Sequence, residues 1–158
     1  MKSLLILGAG GFGHMIKETA QVLGYEEIVF LDDMVKEDDV IGMCCDYVIK
    51  HEDYPVAVAA FGNNKTRLFW TDKLLEEGYE VPAIVHPSAV VSPSVTLEPG
   101  CFIMQRSVVN TNTKIERAAL VNSGAVVDHN SVVCAGAHVG LGSVVKANCT
   151  IESGRKVE

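Results

Sequence analysis

Cut every six residues from Ile84, the sequence falls into the frames IVHPSA, VVSPSV, TLEPGC, FIMQRS, VVNTNT, KIERAA, LVNSGA, VVDHNS, VVCAGA, HVGLGS, VVKANC and TIESGR, with KVE left over. The second place is aliphatic in every frame, from Val85 through to Val157. The fifth place is mostly small or turn-forming, as at Ser88, Ser94, Gly100, Ala118, Gly124, Gly136, Gly142 and Gly154. An unbroken period of six is the pattern of a parallel β-helix, each frame supplying one short strand and a corner. One aliphatic side chain per frame then fills the axis. Three frames make a triangular coil, so residues 18 apart should stack in columns at the interstrand spacing of about 4.8 Å. Twelve full frames predict four coils. A sandwich of short strands has no reason to hold one phase for so long.

The residues before the repeat have a different rhythm. Ser3 to Leu7 reads as a buried strand, His14 to Leu23 as a helix, and Glu27 to Leu31 as a second strand ending at Asp32-Asp33. Asp46 to Ile49 and Val56 to Phe61 are further strand candidates. Asn64 to Glu77 reads as a helix with Leu68, Leu75 and Trp70 or Phe69 on its apolar face, stopped at Gly78. This order predicts a small parallel, doubly wound, Rossmann-like sheet over residues 1–80, and the β-helix over 84–158. The repeat breaks off in mid-frame at Lys156-Val157-Glu158, which reads as a β-helix truncated at its C-terminus.

Charge and cysteine content narrow the classes. Lys and Arg number 13 against 20 Asp and Glu, a formal charge of −7, the wrong sign for a general nucleic-acid or anionic-membrane binder. No apolar run approaches the roughly 20 residues of a membrane-spanning helix. Five cysteines, an odd number with no C-x-x-C pair, suit a reducing cytoplasm rather than a disulfide framework or a zinc site.

Gly8-Ala9-Gly10-Gly11-Phe12-Gly13 satisfies G-x-G-x-x-G between a strand and a helix, with Asp32 and Asp33 at the distance of a ribose contact. Such a loop presents backbone N–H groups to a pyrophosphate, whether of NAD or of a nucleotide-sugar. An NAD-dependent oxidoreductase therefore stands as one reading, although nothing downstream resembles a hydride-transfer substrate domain. Asn63, Lys65 and Arg67, in Gly62-Asn63-Asn64-Lys65-Thr66-Arg67, follow an apolar strand at the end of the sheet where ligands bind. They suit either a phosphate or sugar contact or an ordinary capped helix with solvated bases.

The repeat holds His86, His129 and His138. His129 follows Asp128, and a histidine oriented by a carboxylate is a ready general base near neutral pH. Neighbours on a strand face opposite ways, so the pair can meet only at a corner. One coil above His129 lies Ala147, whose N–H is a candidate oxyanion donor. The same column arithmetic gathers Asn122, Asp128, His129 and His138 into one region. Solvated outward positions and a three-histidine metal centre are the competing readings, and the histidine spacing argues against a metal.

The glycine-loop opening, Phe30-Leu31-Asp32-Asp33, the Gly62-Asn63-Asn64-Lys65-Thr66-Arg67 segment and Asn122-Ser123-Gly124-Ala125-Val126-Val127-Asp128-His129 together resemble the sialic acid O-acetyltransferase family. That family includes acetyl-CoA-dependent N-acetyltransferases of UDP-4-amino-sugars. The resemblance spans essentially the whole chain and implies a left-handed β-helix assembled as a homotrimer, with active sites between neighbouring subunits. It implies His129 as base, Asp128 as its carboxylate partner, and Asn122 and His138 as supporting polar residues; His138 and the column neighbour Ala147 are expected on the acetyl-CoA side. Gly10, Gly11, Asp32, Asp33, Asn63 and Arg67 would hold the nucleotide-sugar. Phe12 departs from the G-G-H-G loop common in the family, which bears on the acceptor. The resulting expectation is a cytoplasmic acyltransferase that acetylates the amine of a nucleotide-activated amino-sugar in surface-glycan synthesis. O-acetylation of sialic acid or another sugar, and a non-catalytic trimeric nucleotide-sugar-binding or scaffold protein, are the alternatives.

Overall fold

The computed structural model describes residues Met1–Glu158, which divide into two compact units, Met1–Pro82 and Ala83–Glu158. In the first, β1 (Ser3–Leu7), β2 (Glu27–Leu31) and β3 (Ala57–Ala59) form a parallel sheet in the order β2-β1-β3. Leu4 through Leu7 are all fully buried, because β1 is central and covered on both faces. Helix α1 (Gly11–Val22) begins three residues before the position expected, inside the glycine loop itself. Glycine's low helix propensity hides that start from a sequence reading. Gly13 is needed there because a Cβ would lie 1.9 Å from the Gly8 carbonyl oxygen, so only a hydrogen lets the helix approach β1 this closely.

Two expectations for this unit are corrected. Asp46 to Ile49 is not a strand: Cys44–Asp46 is a 3₁₀ turn leading into a single-turn helix α2 (Tyr47–Lys50). Asp46 accepts the Met43 N–H at 2.8 Å and so closes the turn, and a short apolar run such as Tyr47-Val48-Ile49 has no periodicity to distinguish strand from helix. Helix α3 (Asn64–Glu77) has the expected bounds, but its buried stripe is Arg67, Thr71 and Leu74. Trp70 and Leu75 pack at the margin of the core, whereas Phe69 is half exposed.

The second unit is a parallel β-helix of about four turns. Thirteen strands of two residues each, β4 (Ile84–Val85) to β16 (Lys156–Val157), stack into three sheets. The columns follow the expected register: Leu120 pairs with His138 and Val121 with Val139, 18 residues on. The axis is filled by two residues per frame, not one. Small side chains at the sixth place (Cys101, Ala119, Ala125, Ala137) join the aliphatic second place (Ile103, Val121, Val127, Val139) in one buried core. Both places point inward because the chain turns through a corner between them.

The fifth place is the corner. It has positive φ in ten of the twelve frames, in five of them without glycine: Arg106, Asn112, Ala118, Asn130 and Asn148. Asn tolerates this left-handed conformation better than other side chains, which explains three of the five.

Candidate active site

Three polar constellations lie on this scaffold. The first is a cavity of about 590 Å³ in the N-terminal unit, at the carboxyl ends of the parallel strands. Its walls include Gly10, Gly11, Phe12, Asp32, Asp33, Phe61, Thr66 and Trp70. Gly10 caps α1 and Gly11 begins it, so the cavity lies at the N-terminus of this helix, the end that favours an anion. Asp32 Oδ2 accepts the Ala9 N–H at 2.7 Å, and Oδ1 accepts those of Met34 and Val35, both at 2.8 Å. Burial pushes the Asp32 carboxyl upward, but the three N–H donors outweigh it and hold it below its ordinary range. Asp33 accepts the Cys44 N–H at 2.9 Å. Burial, reinforced by Asp33 and Asp32, pushes the Cys44 thiol up to about 12, so it stays protonated and is no nucleophile.

Asn63 and Arg67 are both engaged within the protein, Asn63 at the surface and Arg67 in the core. Asn63 caps α3, accepting the Thr66 N–H at 2.9 Å. Arg67 is fully buried, and its guanidinium donates to the Phe61 and Gly62 carbonyls at 3.0 and 3.3 Å and to Asn64 Oδ1 at 2.9 Å. It shapes the loop that walls the cavity from behind. Burial lowers its pKa to about 10.

The second constellation is the corner after β11 (Val126–Val127). Asp128 Oδ1 accepts the His129 backbone N–H at 2.8 Å and lies 3.1 Å from His129 Nδ1. The corner allows adjacent side chains to meet, as the spacing required. It is braced from both neighbouring coils: Thr113 Oγ1 donates to the Asp128 carbonyl at 3.0 Å, and the Asn148 N–H to the His129 carbonyl at 3.1 Å. One coil below, Asn110 Nδ2 donates to Asp128 Oδ1 at 3.0 Å. This bond, with the two from His129, holds the Asp128 carboxyl below the usual carboxylate range. Asn110 was missed in the sequence, yet subtracting one coil from Asp128 finds it. Ala147 sits half-buried in the column above His129.

The third constellation follows β10 (Leu120–Val121). Asn122 Nδ2 lies 3.2 Å from His138 Nε2, at a cavity of about 220 Å³ also lined by Gly140 and Leu141. Asn122 and Asp128 occupy the same frame position in successive frames and therefore fall on different corners. The expected single cluster is two pairs, Asn122–His138 and Asp128–His129. They flank one face of the prism, the sheet of β5 (Val90–Val91), β8 (Val108–Val109), β11 and β14 (Val144–Val145). Its first-place residues, Val90, Val108, Val126 and Val144, are none of them buried, and the two end valines are each 63% exposed.

Comparison with known proteins agrees with this architecture. Residues 3–74 match the family model described as the PglD N-terminal domain. The acetyltransferase domain of PglB from Neisseria gonorrhoeae FA1090, in complex with acetyl coenzyme A, is similar with a TM-score of 0.91 and 33% identity. The match covers 95% of this chain and 76% of that one. PerB from Caulobacter crescentus, in complex with CoA and GDP-perosamine, is similar at 25% identity and a TM-score of 0.74, covering 100% of this chain and 92% of that one. A point mutant of perosamine N-acetyltransferase from the same organism, again with CoA and GDP-perosamine, has a TM-score of 0.82 at 22% identity. It covers 95% and 82% of the two chains, a likeness of fold.

Proposed function

Because this chain belongs to the hexapeptide-repeat sugar acetyltransferase family, we propose that it transfers the acetyl group of acetyl-CoA to the amine of a nucleotide-activated amino-sugar. The N-terminal unit is read as a Rossmann-like nucleotide-sugar domain, and the repeat as a left-handed β-helix that carries the chemistry. The observation that carries the reading is the Asp128–His129 corner, where the carboxylate faces Nδ1 and Nε2 is left to take a proton. The sugar amine attacks the thioester carbonyl while His129 removes its proton, and the CoA thiol leaves. The Ala147 N–H is assigned to the developing oxyanion. Asn122 and His138 are assigned to the acetyl-CoA side of the site, where the 220 Å³ cavity lies. Gly10, Gly11, Asp32 and Asp33 are assigned to the nucleotide-sugar, with Asn63 and Arg67 shaping the loop beside it. No residue of a covalent acyl-enzyme is required, and no group of three metal-ligating side chains is present.

The working state is proposed to be a cytoplasmic homotrimer. Three prisms that turn the same face to a threefold axis bring one edge of each face against the opposite edge of the next. The face of Val90, Val108, Val126 and Val144 is apolar, and its two edges carry the two polar pairs. Packed in this way, Asp128–His129 of one copy meets Asn122–His138 of its neighbour, and neither pair is a complete site alone.

Thiol release from acetyl-CoA, measured with a panel of UDP- and GDP-linked amino-sugars, tests the activity. Sugar-dependent release, with an amide found in the product, is the expected result. Release supported only by hydroxyl acceptors would move the reaction to O-acetylation. Binding of nucleotide-sugar without any turnover would make the protein a non-catalytic one.

A further inference from the structure

We infer that Asn110 is a positioning residue for the reaction, its side-chain amide fixing the Asp128 carboxylate so that His129 keeps its ring hydrogen on Nδ1. This inference rests on the reading of His129 as the base.

The Asp128 side chain stands at a corner and is 41% exposed, so nothing in the packing alone would choose its rotamer. Three nitrogens converge on its Oδ1: Asn110 Nδ2 at 3.0 Å and the His129 backbone at 2.8 Å, both donating, and His129 Nδ1 at 3.1 Å. Of the three, only Asn110 comes from outside the dyad. Its own position is set by the ladder. Val108 pairs with Val126 and Val109 with Val127, and the Asn110 N–H donates to the Val127 carbonyl at 2.9 Å. The amide therefore reaches the carboxylate from a frame that cannot drift relative to it.

The residue type matters as well. A lysine or arginine here would pair with Asp128 and cancel much of the charge that orients the imidazole. A neutral amide donates one hydrogen bond and leaves the negative charge to act on Nδ1–H. Asn110 also accounts for the largest share of the lowering of the Asp128 carboxyl. Without it, the carboxylate keeps only the His129 backbone N–H as a fixed donor and is held less firmly, so the Nδ1–H tautomer loses part of its anchor and Nε2 more often carries the hydrogen and is unable to act as base.

The test combines ¹⁵N NMR of the histidine ring nitrogens with steady-state kinetics on the full chain. Wild type is expected to hold His129 as the Nδ1–H tautomer. Asn110→Leu, close in size but without a donor, should shift the population toward Nε2–H. It should lower kcat about tenfold while both KM values stay within about twofold, the pattern of lost positioning rather than lost binding. Asn110→Gln retains the amide and should recover most of the loss. An Asn110→Leu variant with wild-type tautomer and kcat overturns the inference. So does a wild-type His129 found as Nε2–H, a measurement independent of how the variant folds. His129→Ala serves as the control: surviving turnover there would overturn the base itself and the inference with it, whereas lost turnover alongside an unaffected Asn110→Leu would overturn Asn110 alone.

Discussion

Asp32 illustrates how one side chain serves both fold and site. Its carboxylate ties the glycine loop, through the Ala9 N–H, to the turn after β2, through the Met34 and Val35 N–H groups. A carboxyl lowered in the folded state stabilises above its unfolded pKa of about 4 and loses that contribution as pH falls through the folded value. Asp32→Asn should therefore melt a few degrees below wild type near neutral pH. The gap should stay level down to about pH 4 and then close. A thermal-unfolding series from pH 7 to pH 3 checks this, and a gap unchanged at the acid end would mean that the charge of Asp32 is not what holds the loop. This role was not legible in the sequence, where Asp32 stood only as a ribose contact. The same holds for Arg67: a basic residue after a strand suggested a phosphate ligand, and only the packing of α3 shows that its guanidinium is spent on loop carbonyls. Asp128 and His129 were legible because a six-residue phase places a corner immediately after Val127.

Among the elements, the β-helix was read almost to the residue, since each frame repeats the same instruction and errors cannot accumulate. What escaped was the inward sixth place. Alanine, serine, threonine and cysteine there look like turn residues until the corner is seen to point them at the axis. The α/β unit was less legible because Asp46 to Ile49 carries too few residues to show a period. The corners also hold a measurable strain. Arg106 adopts φ 57 and is exposed, with no glycine or asparagine to ease it. Arg106→Gly should raise stability by about 1 kcal/mol, the ordinary cost of a left-handed residue, seen as a higher denaturant midpoint at unchanged slope. A lower midpoint would indicate that the Arg106 side chain contributes more than its backbone costs.

At the scale of the molecule, the valine face and the two polar pairs on its edges belong to one arrangement. Val144→Glu places a charge on that exposed face without entering the core. Sedimentation should show smaller species and activity should fall with it, while the far-ultraviolet circular dichroism is retained. An intact, active trimer would move the interface elsewhere. The most direct test is to mix two inactive variants, His129→Ala and Asn122→Ala, after dissociating and reassembling them together. If each site takes His129 from one copy and Asn122 from the next, random assortment around a closed ring restores about a quarter of the sites. Recovery of acetyl transfer near that level is the expected result. No recovery from a properly reassembled mixture would place both residues in a site within one chain, and the composite active site would be wrong.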